Sequence, residues 1–260
     1  MSLAVKGLGV CYGNTAVVRG VDWSAPQGGR VIALAGANGA GKSSTLRAIA
    51  GLCRMGGEVW LDGENLAEMS LAQRARRVAY MPQSLPQATS LTVYESVLST
   101  LRIACPHWSS AQVHARIPEV LQALGLESLA LRALSTLSGG QRQMAGLAQL
   151  LARSPRLLLL DEPTSALDVR WQLQLLQALR THVAMHQTLC VMAVHDLNLA
   201  ARFCDEMLLM AEGQLLASGP PANVLTPALL HQAYGVEARV ERCSRGMPVV
   251  LADAASLFTN

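Results

Sequence analysis

Arg30-Val31-Ile32-Ala33-Leu34-Ala35, followed by Gly36-Ala37-Asn38-Gly39-Ala40-Gly41-Lys42-Ser43, is an apolar run short enough for a buried strand that breaks into a glycine-rich loop. Lys42 to Leu52 then has helical composition up to Gly56-Gly57, so the order is strand, loop, helix. Gly36 to Ser43 satisfies the G-x-x-x-x-G-K-[ST] pattern in the context that pattern requires. The glycines let successive N–H groups turn inward around phosphate oxygens, and the helix behind them presents the positive end of its dipole. Lys42 is suited to neutralising β- and γ-phosphates, and the Ser43 hydroxyl to ligating magnesium. An incidental Lys-Ser after a glycine-rich turn would explain the motif alone, but not its place between a strand and a helix.

Downstream, Leu157-Leu158-Leu159-Leu160-Asp161-Glu162 is an apolar strand ending in two carboxylates. In a sheet whose ligands bind beyond the carboxyl ends of the strands, that is the natural partner of the loop. Neighbouring residues on a strand point in different directions, so Asp161 can hold magnesium through water while Glu162 faces an attacking water as general base. An acidic pair that merely caps the next helix is the alternative, and the loop upstream weighs against it. Leu137-Ser138-Gly139-Gly140-Gln141, just before the helical stretch Arg142 to Ala152, is a second anion-receptive helix start. One nucleotide does not need two such sites from one chain, so this cradle is expected to serve a nucleotide held by another copy.

The flanking sequence reads as short strands at Leu3 to Val10 and Ala16 to Trp23, with a turn at Pro26-Gln27-Gly28-Gly29, then Glu58 to Leu61. Beyond Pro86 the texture becomes helical from Leu91 through Leu134. A helix at Val169 to His186, a strand at Thr188 to Val194 and a helix at Leu197 to Cys204 follow. Strands alternating with helices predict a parallel sheet with helices on its faces.

Composition bounds the partners. Hydrophobic residues make up 51% of the chain and charged residues 15%, which excludes a disordered chain. The longest stretch free of charged residues, Gly213 to Val236, contains Pro220, Pro221 and Pro227, so no membrane-spanning helix is expected. The 38 Ala and 43 Leu suit helices in a water-soluble core equally well. The start, MSLAVKGLGVCYGN, lacks a basic n-region and a long apolar h-region, so the chain is expected to stay in the cytosol. Cys11, Cys53, Cys105, Cys190, Cys204 and Cys243 lie far apart and read as buried reduced thiols. A net charge of +3 gives no reason to expect a nucleic-acid partner. Nineteen Arg stand against two Lys, Lys6 and Lys42, so lysine chemistry has little choice of residue.

Together these motifs resemble the ATP-binding subunit of ABC transporters over nearly the whole chain. The resemblance rests on Gly36 to Ser43, Tyr80-Met81-Pro82-Gln83, Leu137 to Gln141, Asp161-Glu162-Pro163-Thr164, Ser165-Ala166-Leu167-Asp168 and His195-Asp196, in that order. It implies an α/β fold: a P-loop NTPase core with a mostly parallel sheet (about residues 1–83 and 156–260), an N-terminal antiparallel β subdomain, and an inserted α-helical subdomain (about 84–155) carrying the signature motif. It implies a head-to-tail dimer with two ATP between the phosphate loop, Gly36 through Ser43 and Ser44, of one copy and Ser138-Gly139-Gly140-Gln141 of the other. It further implies that Tyr12 stacks on adenine, Gln83 senses magnesium, Asp168 bridges the dimer and His195 contacts the γ-phosphate. ATP and Mg2+ are the implied cofactors, with Lys42, Glu162 and His195 catalytic and Ser43, Gln83 and Asp161 around the metal. The remaining histidines, His107, His114, His182, His186 and His231, read as satisfied core residues. Ala37 stands where many family members have proline, and Ser44 where threonine is common; neither removes a donor the loop needs.

Within the family, Val194 to Asp205, Val224-Leu225-Thr226-Pro227, Tyr234-Gly235-Val236 and Gly246-Met247-Pro248 resemble importers of ferric siderophores, haem and cobalamin, with the siderophore branch first. The implied partners are a second copy, two membrane permease subunits and an extracytoplasmic substrate-binding protein. The implied place is the cytoplasmic face of the inner membrane, held peripherally. A soluble ABC ATPase without a permease, or an ATP-binding regulator that does not hydrolyse, stays open at this point.

Overall fold

In the computed structural model, residues 2–25, 28–84, 89–165 and 167–255 are described. Pro26 and Gln27 of the first turn, Pro86 and Ala166 lie outside them. The chain runs β1 (Leu3–Tyr12), β2 (Thr15–Ala25), β3 (Arg30–Gly36), α1 (Lys42–Ala50), β4 (Gly56–Leu61), β5 (Glu64–Asn65), α2 (Leu71–Arg77) and β6 (Val78–Met81). It continues with α3 (Val93–Ala104), α4 (Ser110–Ala123), α5 (Gly139–Ala152), β7 (Leu157–Asp161), α6 (Val169–His186), β8 (Leu189–Ala193) and α7 (Leu197–Phe203). The tail is β9 (Glu206–Ala211), β10 (Gln214–Gly219), α8 (Pro221–Val224), α9 (Pro227–Tyr234), β11 (Val236–Arg242) and β12 (Pro248–Ala255).

The expected parallel sheet is present. Its order is β10-β9-β3-β8-β7-β6, with β9, β3, β8, β7 and β6 parallel and β10 an antiparallel edge. A separate antiparallel sheet, β2-β1-β4-β5, is built from the first part of the chain. β3, β7 and β8 are buried along nearly their whole length because both faces of the large sheet are covered, which is why they read as unbroken apolar runs. Alternate residues go to opposite cores. Ile32, Leu34, Leu157 and Leu159 join α1 and the antiparallel sheet, while Ala33, Ala35, Leu158 and Leu160 join the helices of the other face. Each fully buried leucine contributes on the order of 1.5–3 kcal/mol, so the four leucines of β7 anchor the strand that carries the carboxylates.

The stretch read as helical from Leu91 to Leu134 divides in two. α3 ends at its cap Cys105, just before Pro106, and α4 starts after Ser109. α2, α3, α4 and α5 each begin with a reciprocal capping box, from Ser70 with Gln73, Thr92 with Glu95, Ser109 with Gln112 and Ser138 with Gln141. The second core cluster runs without interruption from these helices onto the sheet, through Val97, Ile117 and Met144 to Leu160 and Met192.

Two readings of the sequence need correction. Of the cysteines, Cys105, Cys190 and Cys204 are buried, but Cys11 and Cys243 are exposed and Cys53 is half-buried; Cys11 lies at a hairpin end and Cys243 in a loop, while Cys53, in the loop after α1, only packs against the edge of a core cluster. Of the five histidines read as satisfied core residues, only His182 is buried, and its Nε2 has no hydrogen-bond partner among the described residues. His107, His114, His186 and His231 are exposed, on solvent faces of helices or beside them. Among the described residues, no helix is long and apolar enough to cross a membrane.

Candidate functional site

β3 delivers the chain to the carboxyl edge of the large sheet, where the backbone turns through Gly36 (φ 150°), Gly39 (φ 81°) and Gly41 (φ 98°) into α1. A side chain at Gly36 would bring its Cβ to 2.3 Å from the Met210 carbonyl oxygen, and one at Gly41 to 2.9 Å from that of Val17. The loop is therefore wedged against β9 and β2, and its conformation requires glycine. A cavity of about 150 Å³ opens over it, lined by Val17, Asn38, Gly39, Gly41, Lys42, Ser43, Ser44 and Glu162. Gly36 and Ala40 lie buried behind the loop.

Lys42 is 5% exposed, and its Nζ donates to the carbonyl oxygens of Gly36 at 2.7 Å and Ala37 at 3.0 Å. Burial lowers the pKa of the ammonium group, and the Glu162 and Asp161 carboxylates act against that shift.

The two carboxylates point to different partners, as expected for neighbours leaving a strand. Asp161 accepts from Ser43 Oγ at 2.9 Å through Oδ1 and from Tyr80 Oη at 3.2 Å through Oδ2. Glu162 leaves the sheet in the left-handed region (φ 51°) and is buried. Its Oε2 accepts from Gln83 Nε2 at 2.6 Å, and its Oε1 meets His195 Nε2. The parallel register of β7 and β8, which sets Asp161 beside Ala193, brings His195 to the same edge. Lys42, Ser43, Gln83, Asp161, Glu162 and His195, from four separate stretches of chain, thus converge on one edge.

Other expected residues stand apart. Tyr12 ends β1, is 45% exposed and does not line the cavity. Ser138 and Gly139 are exposed at the start of α5, where Ser138 Oγ caps the helix by accepting from the Gln141 N–H at 3.3 Å. Gly140 packs closely on Leu167 and Trp171. Asp168 caps α6 by accepting from the Trp171 N–H at 2.9 Å and is exposed.

Three residues near the site escape motif reading. Tyr80 is tied to Asp161; burial first, then the carboxylate, push its phenol pKa upward, so it stays a donor. Gln143, inside α5, donates to the Pro163 carbonyl oxygen at 3.3 Å. Tyr234 accepts from the Gly36 N–H. Tyr80 belongs to a quoted motif and Tyr234 to the tail pattern, but nothing in the sequence marks Gln143.

The glycine loop, the strand-end carboxylates and the doubly covered parallel sheet define an ATPase of the phosphate-loop class. A profile described as ABC transporter matches residues 18–165. The chain belongs to that family, as an ATP-binding, transport-coupled ATPase. It is 39% identical over 252 residues to the hemin import ATP-binding protein of Bordetella pertussis, covering 92% of this chain and 94% of that one. It is 36% identical over 246 residues to the iron(3+)-hydroxamate import ATP-binding protein of Bacillus subtilis, covering 92% and 90%. Among solved structures, an ATP-binding subunit of an ABC transporter superposes with a TM-score of 0.77 at 27% identity, over 86% of this chain and 92% of that one. A metal-chelate type ABC transporter in an inward-facing conformation gives a TM-score of 0.80 at 24% identity over 97% of each chain, which speaks for the fold.

Proposed function

We propose that this chain hydrolyses ATP to drive import of a metal chelate, with ferric siderophore as the substrate of its transporter. The observation that carries the hydrolytic part is Glu162, buried and held between Gln83 and His195 above the phosphate loop. The loop N–H groups that face the cavity, at Asn38, Gly39 and Gly41 to Ser44, receive the phosphates, and Lys42 shifts from its own loop carbonyls to their oxygens. Ser43 and Asp161 offer the hard oxygen donors that magnesium takes beside phosphate, with Gln83 nearby. Magnesium bound there would draw charge from the phosphate oxygens. Glu162 accepts a proton as water attacks the γ-phosphorus; the bond to the β-phosphate oxygen breaks, leaving ADP and inorganic phosphate. His195 orients that carboxylate and reaches toward the γ-phosphate.

The exposed Ser138-Gly139 helix start supports a two-copy arrangement, since it lies away from the cavity of its own chain. In this reading residues 84–155 form a subdomain that presents the signature to the partner copy, Asp168 lies at the contact and Tyr12 receives adenine. A groove of about 350 Å³ is lined by Ala72, Ala75, Thr100, Ala104 and the 80% exposed Ile103, together with Arg76 and Arg153. A largely apolar groove edged by two arginines suits docking of a permease, which would hold the chain on the cytoplasmic face of the membrane, served from outside by a binding protein.

Relatives named for hemin, achromobactin, iron(3+)-hydroxamate and cobalamin import support the chelate class. Deleting the gene should abolish uptake of labelled ferric siderophore and spare hemin and cobalamin uptake. Loss of hemin or cobalamin uptake instead would reassign the substrate.

A further inference from the structure

Tyr234 closes α9, near the end of the chain, yet its hydroxyl sits on the phosphate loop. The Gly36 N–H donates to Tyr234 Oη at 2.8 Å across 198 positions of sequence. Gly36 is buried and is the residue at which β3 becomes the loop. Loss of the acceptor therefore leaves the amide of a buried residue without its partner. Tyr234 is partly buried against the core, and its helix is fixed in place. Leu230 and Ala233 bury α9 in the core, and Gly235 (φ 65°) ends the helix with its N–H on the His231 carbonyl oxygen at 2.8 Å. Burial raises the phenol pKa to about 12, so the group is neutral at physiological pH. The tail that follows is anchored again beside His195. The Val250 N–H donates to Asn198 Oδ1 at 2.8 Å, and Asn198 Nδ2 to the Val250 carbonyl oxygen at 3.3 Å, on the helix that follows His195 and Asp196.

We propose that Tyr234 is a positioning residue for the phosphate loop: its hydroxyl fixes the Gly36 amide and so sets the direction in which the loop leaves β3. It makes no contact with the reacting atoms. It raises the fraction of the chain whose loop is ready for phosphate, and apparent affinity scales with that fraction. Bound nucleotide restores the same loop at saturation, so turnover is spared. The inference rests on the assignment of Gly36 to Ser43 as the ATP-binding loop.

The test is steady-state kinetics of Tyr234→Phe, which keeps the ring and removes the acceptor. KM for ATP should rise by about three- to thirtyfold, with kcat within about twofold of the wild type and the Gly36 amide exchanging faster with deuterium. A folded variant with unchanged KM, even with a lowered Tm, overturns the proposal. If the variant does not fold, hydrogen exchange on the wild-type chain decides: a slowly exchanging Gly36 amide supports the bond, and immediate exchange overturns it. Lys42→Ala separates the two assignments. Loss of ATP binding there with unchanged KM in Tyr234→Phe overturns the Tyr234 role alone; full ATP binding by Lys42→Ala overturns the loop assignment and the role together.

Discussion

Gly36 carries three constraints at one residue: a positive φ, a backbone neighbour where a Cβ would stand, and a buried amide that needs an acceptor. Gly39, by contrast, has the positive φ but open space around it. Gly36→Ala should therefore cost about 2–4 kcal/mol, lowering Tm by roughly 5–10 °C and weakening ATP binding more than tenfold. Gly39→Ala should cost about 1 kcal/mol. Calorimetry and nucleotide titration check both; equal effects of the two substitutions would refute the wedge against Met210. The loop and both carboxylates are legible because each belongs to a short run with its own chemistry, whereas Gln83 and His195 enter through the family resemblance and their place in the order of motifs. Tyr80 and Tyr234 were not legible as partners, since a bond across 81 or 198 positions leaves no local pattern.

Elements built on one clear period were the readable ones. α6 matches its reading from Val169 to His186, because apolar residues recur at helical spacing and Asp168 caps the start. The run from Leu91 to Leu134 reads as a helical insert because Leu, Ala, Gln and Arg suit helices throughout, and its division into α3 and α4 depends on Pro106 and the cap Ser109. β9 and β10 carry no strand signal in their sequence, since Met, Leu and Ala are not β-branched, and they owe their state to pairing. α6 also carries an acid-labile feature. His182 is buried in the wall of a cavity of about 620 Å³ between α4 and α6, with its ring centroid 4.3 Å from that of His186. Burial first, then His186 and Arg116, depress its pKa to about 3. The unfolded chain therefore binds the proton that the folded chain refuses, and stability falls as pH drops below the unfolded histidine value of about 6.5. At pH 5 the loss is on the order of 2 kcal/mol. Denaturant unfolding at pH 7 and pH 5 should show it in the wild type and much less in His182→Phe; equal losses in both chains would refute the assignment.

At the scale of the molecule, the apolar composition is accounted for by a sheet covered on both faces, not by any spanning helix among the described residues. The parallel order of the sheet was legible from alternation of strands and helices, and it alone brings distant stretches to one edge. The tail was read only as a subfamily pattern, and the structure gives it a physical place, bonded to both the phosphate loop and the helix after His195. The account stands or falls on hydrolysis at Glu162. Single-turnover phosphate release from Glu162→Gln measures it most directly, because the amide keeps the size and neighbours of the carboxylate but cannot take the proton. ATP affinity should stay within about threefold of the wild type while the rate of release falls by about 10²- to 10⁴-fold. Release at the wild-type rate would contradict the account.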